Sequence, residues 1–188
     1  MSREEHLAKS IASKMDRALA LEMIMDEYGT MIKRLIYSYV KDWEIASDLT
    51  QEVFLTVYEK LETFHQRSSF KTWIFSIAIN KSKDYLKSWH HRNLIINEKV
   101  FFFKKDTAKN PEAQLLQLDK QNELLKGVWS LPVKYREVLL LHYYQDFSFH
   151  EISTTLNIPL STVKTRLYRA QEKMRKLLSM ENRGELYG

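Results

Sequence analysis

The chain has 188 residues, 44% hydrophobic and 28% charged, with four glycines, three prolines, no cysteine and a formal net charge of +5. That length holds one ordinary domain or two small ones, and so few glycines and prolines leave an all-β fold without its usual turn residues. The missing thiols exclude disulfides, thiol catalysis and cysteine-bound zinc and fit a reducing cytoplasm. The charged start Met1-Ser2-Arg3-Glu4-Glu5 leads into no long apolar run, so neither a signal peptide nor a membrane span is expected and the expected location is cytoplasmic.

In chain order, Leu7, Ile11, Met15 and Leu19 recur at four-residue spacing and predict an amphipathic helical extension over residues 1–20. Leu21, Ile24, Met25, Tyr28, Ile32, Leu35, Ile36 and Tyr39 repeat at three and four and predict a core helix to about Val40. Asp42 or Trp43 opens the next helix, whose stripe Ile45, Leu49, Val53, Val57 and Leu61 is widened by Ala46, Phe54 and Tyr58. The polar run His65-Gln66-Arg67-Ser68-Ser69 breaks the pattern, and either serine suits the N-cap of a third helix. That helix has an apolar stripe of Phe70, Trp73, Ile74, Ile77, Ala78, Tyr85 and Leu86, with Asn80, Lys83, Asp84 and Lys87 opposite.

Periodicity fades after Trp89-His90-His91-Arg92, and residues 92–113 read as a flexible linker, despite the apolar Val100-Phe101-Phe102-Phe103. Fully extended, such a segment spans roughly 70 Å at about 3.3 Å per residue, or about two DNA turns. Leu115, Leu116, Leu118, Leu124, Leu125, Val128 and Trp129 open the second half. Pro132 suits the first turn of a helix running through Tyr135, Val138, Leu139, Leu141, His142 and Tyr143. Ser148-Phe149-His150-Glu151 has capping-box form and leads into Ile152 and Leu156. After Asn157-Ile158-Pro159, Ser161 is the expected N-cap of a long helix with Val163, Leu167, Ala170, Met174 and Leu177 on its apolar side. A short helix, a short turn and a second helix with a basic face make a helix-turn-helix.

Charge is segregated along the chain. From Asp42 to Glu62 six acids stand against Lys60 alone; from Arg67 to Arg92 six bases stand against Asp84, and from Ser161 to Ser179 six stand against Glu172. One acidic and two basic stretches point to one protein contact and two nucleic-acid contacts. Lys164, Thr165, Tyr168 and Arg169 fall in the first turns of the last helix, where a recognition helix meets base edges. Lys173, Arg175 and Lys176 lie further along, at the distance of phosphates.

These residues also carry a family resemblance. The runs Asp48 to Leu55, Phe64 to Ser69 and Phe70 to Asn80 resemble the sigma-two domain of extracytoplasmic-function sigma factors, and Leu131 to Val138 with Ile158 to Ala170 resemble the sigma-four domain. The resemblance implies an all-α fold of two small helical domains, residues 21–91 and 114–180, joined by the linker, with a tail at 181–188. It further implies a factor that binds core RNA polymerase and directs promoter recognition and melting. By that likeness Asp48, Gln51 and Glu52 grip the polymerase. Phe64, His65, Gln66, Arg67, Ser68, Asn80, Lys83 and Lys87 would open and read the minus-ten element, where flipped bases need stacking and hydrogen-bonding partners. Thr162, Lys164, Thr165, Tyr168, Arg169 and Lys173 would lie on the minus-thirty-five element. Many relatives have Arg-Gly where this chain has His65-Gln66. The likeness also implies an anti-sigma factor as a partner.

Two other function classes require different features. An ordinary helix-turn-helix regulator would use only the C-terminal half, bind a palindrome as a dimer and have no need of Asp48 or Glu52. A nucleic-acid hydrolase would need an acidic metal cluster. His150-Glu151 lacks a second histidine four positions after His150, and the adjacent His90-His91 read as surface residues. No catalytic residues, metal ligands, cofactor or small-molecule substrate are therefore expected, and no membrane insertion.

Overall fold

The computed structural model describes residues 17–61, 64, 68–96 and 123–184. Among these every regular element is helical, as expected, and they belong to two compact units. The expected N-terminal extension up to residue 16, the loop residues His65, Gln66 and Arg67, most of the linker, the start of the second domain and the last four residues lie outside the described set.

The first unit is built from α1 (Arg17–Val40), α2 (Trp43–Lys60) and α3 (Phe70–Ile96), each packed on the other two. From α1 the core receives Ala20 and, from the predicted stripe, Ile24, Tyr28, Ile32, Leu35, Ile36 and Tyr39, whereas Met25 is exposed and Leu21 half-buried. Helix α2 contributes Ala46, Leu49, Val53, Phe54 and Val57, and α3 contributes Phe70, Ile74, Phe75, Ala78 and Ile79. Fully burying a side chain of this size is worth about 1.5–3 kcal/mol, so this shared interior holds the three helices together. Tyr58, expected to widen the stripe of α2, is exposed and lies under the Arg17 guanidinium, 4.6 Å from its ring centre. On α3 the buried face is turned toward Phe75 and Ile79, leaving Trp73 and Ile77 half-buried.

Only Lys41 and Asp42 separate α1 from α2. Lys41 takes a left-handed conformation (φ 61°), which ends α1 while its N–H still reaches the carbonyl of Tyr37 at 2.9 Å. Asp42 then caps α2, its carboxylate accepting from the N–H groups of Glu44 and Ile45 at 2.9 and 3.0 Å. Tyr37 and Trp43 stack across this corner with centroids 4.1 Å apart. Burial, and secondarily the nearby Asp42 carboxylate, push the Tyr37 hydroxyl above its ordinary ionisation range. Of the two candidate caps for α3 the structure selects Ser69, whose Oγ accepts from Thr72 N at 3.1 Å. Helix α3 continues to Ile96, so residues 92–96, read from sequence as linker, are helical.

The second unit contains α4 (Glu123–Ser130), α5 (Val133–Leu139), a π-helical turn (Leu140–Tyr144), α6 (Phe149–Leu156) and α7 (Leu160–Gly184). Pro132 stands at the N-cap of α5 rather than inside its first turn, its carbonyl accepting from Tyr135 and Arg136. The π turn is closed by Gln145 N donating to the Leu140 carbonyl at 3.1 Å. It turns Tyr143 and Tyr144 outward, while Leu141 and Phe147 stay in the core. The capping box forms as expected: Glu151 Oε2 accepts from Ser148 N at 2.9 Å, and Ser148 Oγ accepts from Glu151 N at 3.3 Å.

Ser161 is not the N-cap of α7. Asn157 (φ 51°) ends α6, and Ser153 holds the Ile158 backbone by two bonds, Ser153 Oγ to Ile158 O at 2.6 Å and Ile158 N to Ser153 O at 3.1 Å. The turn is thereby short enough for Pro159 to cap α7 through its carbonyl, which accepts from Thr162 and Val163. Ser161 falls inside the first turn, where its carbonyl accepts from Thr165 Oγ1 at 2.9 Å. Val163, Leu167, Ala170 and Met174 seal α7 against the unit's core.

Candidate nucleic-acid and polymerase interfaces

Three solvent faces carry the residues singled out from sequence. The first is on α2. At about 100° per residue, Glu44, Asp48, Gln51, Glu52 and Glu59 share one side of the helix, all exposed, opposite Ala46, Val53 and Val57. Lys81 from α3 reaches one edge of this face and pairs with Glu52 at 3.2 Å. In the middle of the face stands Leu55, 62% exposed. Sequence reasoning missed it because an apolar side chain was counted only when it fell on the buried stripe. Its register, seven residues from Asp48, was the available signal.

The second face involves α3 and the residues before it. Asn80, Lys83 and Lys87 line up opposite the buried side; Asn80 and Lys87 are exposed, and Lys87 pairs with Asp84 at 3.2 Å. Phe64 does not point into solvent. Its ring packs edge-on against Phe70, centroids 5.4 Å apart, and against Trp73 at 5.2 Å, and Tyr28 completes the group at 5.9 Å from Phe70. Phe64 therefore anchors the start of the loop, as Ser69 anchors its end; Ser68 between them is half-buried. Of the eight residues proposed from sequence for the minus-ten element, three in the loop, His65, Gln66 and Arg67, lie outside the described residues.

The third face belongs to α7. Thr165, Tyr168, Arg169 and Lys176 share its outward side, with Lys164 on one flank and Thr162 and Lys173 on the other. Tyr168 is the most open, at 65% exposed. One base of this stretch is withdrawn from the surface set: Arg166 turns inward and binds the Glu137 carboxylate of α5 at 2.8 Å. Glu137 is 2% exposed and its neighbour Arg136 is buried, donating to the carbonyls of Trp129 and Leu131. The orientation of α7 is thus tied to α5 by a buried ion pair as well as by apolar packing.

Comparison with known proteins reads the same two segments. Residues 24–92 match the model of Sigma-70 region 2 and residues 122–174 that of Sigma-70, region 4. The ECF RNA polymerase sigma factor SigW of Bacillus subtilis is 32% identical over 82% of this chain and 87% of its own length. The chain belongs to the extracytoplasmic-function sigma factors of the sigma-70 family. The RNA polymerase sigma-H factor of Pseudomonas aeruginosa is 31% identical, over 85% of this chain and 86% of that protein. Among solved structures, the sigma factor RpoE of Bartonella quintana, determined with the anti-sigma factor NepR, shares the fold with a TM-score of 0.67 at 23% identity, covering 84% of this chain and 96% of that one.

As a sigma factor the chain directs RNA polymerase to promoters for transcription initiation. A match to region 2 over most of the first unit disfavours the alternative of a regulator that works by its helix-turn-helix alone. No described helix is long and apolar enough to cross a membrane.

Proposed function

We propose that this sigma factor divides its work among the three faces, within domains of residues 21–91 and 114–180. Core RNA polymerase is gripped by Asp48, Gln51 and Glu52 of α2, with Leu55 as an apolar contact at the centre of the acidic face. The minus-ten element is opened and read by the segment Phe64 to Ser68 and by Asn80, Lys83 and Lys87. Phe64 serves it indirectly, by fixing the loop, while Asn80 offers both donor and acceptor to an unstacked base. The minus-thirty-five element is read by Thr162, Lys164, Thr165, Tyr168 and Arg169, with Lys173 on phosphate. Nucleotide transfer belongs to the polymerase, and the factor acts in the cytoplasm. An anti-sigma factor holds it inactive, a reading supported by the relative of the same fold that was solved bound to one.

The observation that carries this reading is the exposure of Asp48, Gln51, Glu52 and Leu55 on a helix whose other side is committed to the core. An exposed leucine ringed by acids contributes little to this unit, and burying it against a partner gains about 1.5–3 kcal/mol.

Binding to core polymerase tests it. Charge reversal at Asp48 and Glu52 should weaken affinity most at low salt, because the lost attraction is screened as salt rises. Leu55→Ser should weaken it by a factor that salt leaves nearly unchanged. Wild-type affinity in both variants would remove α2 from the interface.

A further inference from the structure

The flank of α7 that carries Lys173 meets α5. There Lys134 and Lys173, one from each helix, converge on a single aromatic ring. Lys134 Nζ stands 5.2 Å from the centre of the Tyr135 ring and Lys173 Nζ 5.8 Å. Tyr135 itself is buried, so the ring is a fixed platform, while both lysines are exposed.

Neither ammonium group pairs with a carboxylate among the described residues, and the two distances put them at most about 11 Å apart. Like charges drawn to one ring repel one another and leave a local excess of positive potential, which an anion relieves. The charge is also continuous with a basic ridge. Arg169 and Lys176 lie on the same side of α7 as Lys173, and Arg166, the other base on that side, is neutralised by Glu137.

The position selects the anion. Lys173 is the fourteenth residue of α7, about 20 Å from its start at 1.5 Å per residue. A helix that enters the major groove by its N-terminal turns has left a groove about 12 Å wide by that depth and stands at its phosphate wall. Lys134 is brought to the same place by α5.

We infer that Lys134, Tyr135 and Lys173 form a phosphate site that holds the DNA backbone beside the upstream promoter element, without reading its sequence. This rests on the proposal that α7 lies on that element. It adds α5, and Lys134 in particular, to a surface that sequence confined to the last helix. The ring keeps the two flexible side chains near their bound positions, so less of their freedom is lost when DNA arrives.

The test uses the full chain assembled with core polymerase and a short duplex carrying only the upstream element, cognate or scrambled, over a range of salt. Each phosphate contact contributes about −0.9 to the slope of log affinity against log salt. Lys134→Gln should therefore reduce the loss of affinity between 50 and 200 mM salt by about 3.5-fold relative to wild type, equally on both duplexes. Lys173→Gln should do the same, and Lys134→Arg should keep the wild-type slope.

Arg169→Ala is measured alongside. If it loses preference for the cognate duplex while Lys134→Gln keeps the wild-type slope, the phosphate site is refuted and the reading of α7 stands. If neither variant differs from wild type, both fall. A loss in Lys134→Gln confined to the cognate duplex would also overturn the proposal, because a phosphate contact carries no sequence information.

Discussion

Breaking the Glu137–Arg166 pair should damage the second unit in a way that depends on which partner is removed. The carboxylate is 2% exposed and the arginine side chain 26%, at 2.8 Å. Removing one partner of a buried pair costs about 3–5 kcal/mol, chiefly from the charge left behind. In Glu137→Gln the charge left behind is Arg166, which already reaches water and can hydrate further, and the amide oxygen still accepts a hydrogen bond. The cost should fall to about 1.5–3 kcal/mol, the range of one hydrogen bond to a charged group. In Arg166→Met the carboxylate is stranded in the interior, and the cost should approach the full 3–5 kcal/mol. Small domains bury a modest share of their surface and are marginally stable, so Arg166→Met should unfold the second unit well before the first. Urea unfolding followed separately through Trp129 in the second unit and Trp43 or Trp73 in the first, each as the sole tryptophan, reads both midpoints. Equal destabilisation by the two substitutions, or a change below about 0.5 kcal/mol in either, would refute the argument that the buried carboxylate sets the cost.

Three further outcomes are expected. Lys41→Gly should stabilise the first unit by about 0.5 kcal/mol, read as a higher urea midpoint, because a left-handed non-glycine residue costs about 1–2 kcal/mol while glycine gives back about 0.5–1 through the unfolded chain; a fall would mean the Lys41 side chain contributes more than its backbone strain costs. The Tyr37 hydroxyl, raised by burial and then by Asp42, should contribute stability that is intact below the unfolded tyrosine range near pH 10 and lost as pH climbs through the folded value; alkaline unfolding of Tyr37→Phe should be less steep than that of wild type. Arg169→Ala should cost about 1–3 kcal/mol on the cognate upstream element and relax one base position, whereas Lys176→Ala should weaken all duplexes alike; identical sequence profiles for wild type and Arg169→Ala would take that arginine out of the reading set.

Helices whose apolar residues repeat at three and four were legible in sequence because burial in a bundle is what fixes that period. The core of α1, the Asp42 and Ser69 caps and the Ser148–Glu151 capping box all follow from local rules. What escaped depends on contacts between elements. Nothing in the neighbourhood of Ser161 reveals that Ser153 braces the turn and lets Pro159 start the helix two residues earlier. Nothing local marks Arg136 and Glu137 as buried, because sequence cannot see the carbonyls of Trp129 and Leu131 or the guanidinium of Arg166 that meet them in the interior. The acids of α2 were legible as a surface, but Leu55 among them was not. Phe64 was legible as part of a loop, whereas its place among Tyr28, Phe70 and Trp73 is a matter of tertiary packing.

That placement has a consequence for how promoter preference can change. Phe64 is pinned by the rings of Phe70 and Trp73 and Ser69 by the first turn of α3, so the chain enters and leaves the intervening segment at positions set by the bundle. The contacts that fix the two ends are made by Phe64 and Ser69 themselves, outside residues 65–67. On the proposed assignment of this segment to the minus-ten element, replacing His65-Gln66 changes what is presented to DNA while Phe64 and Ser69 keep their own contacts. On that assignment, such a bundle can be re-addressed to a different minus-ten sequence in a few substitutions, and its descendants can diverge in the genes they serve while keeping one core.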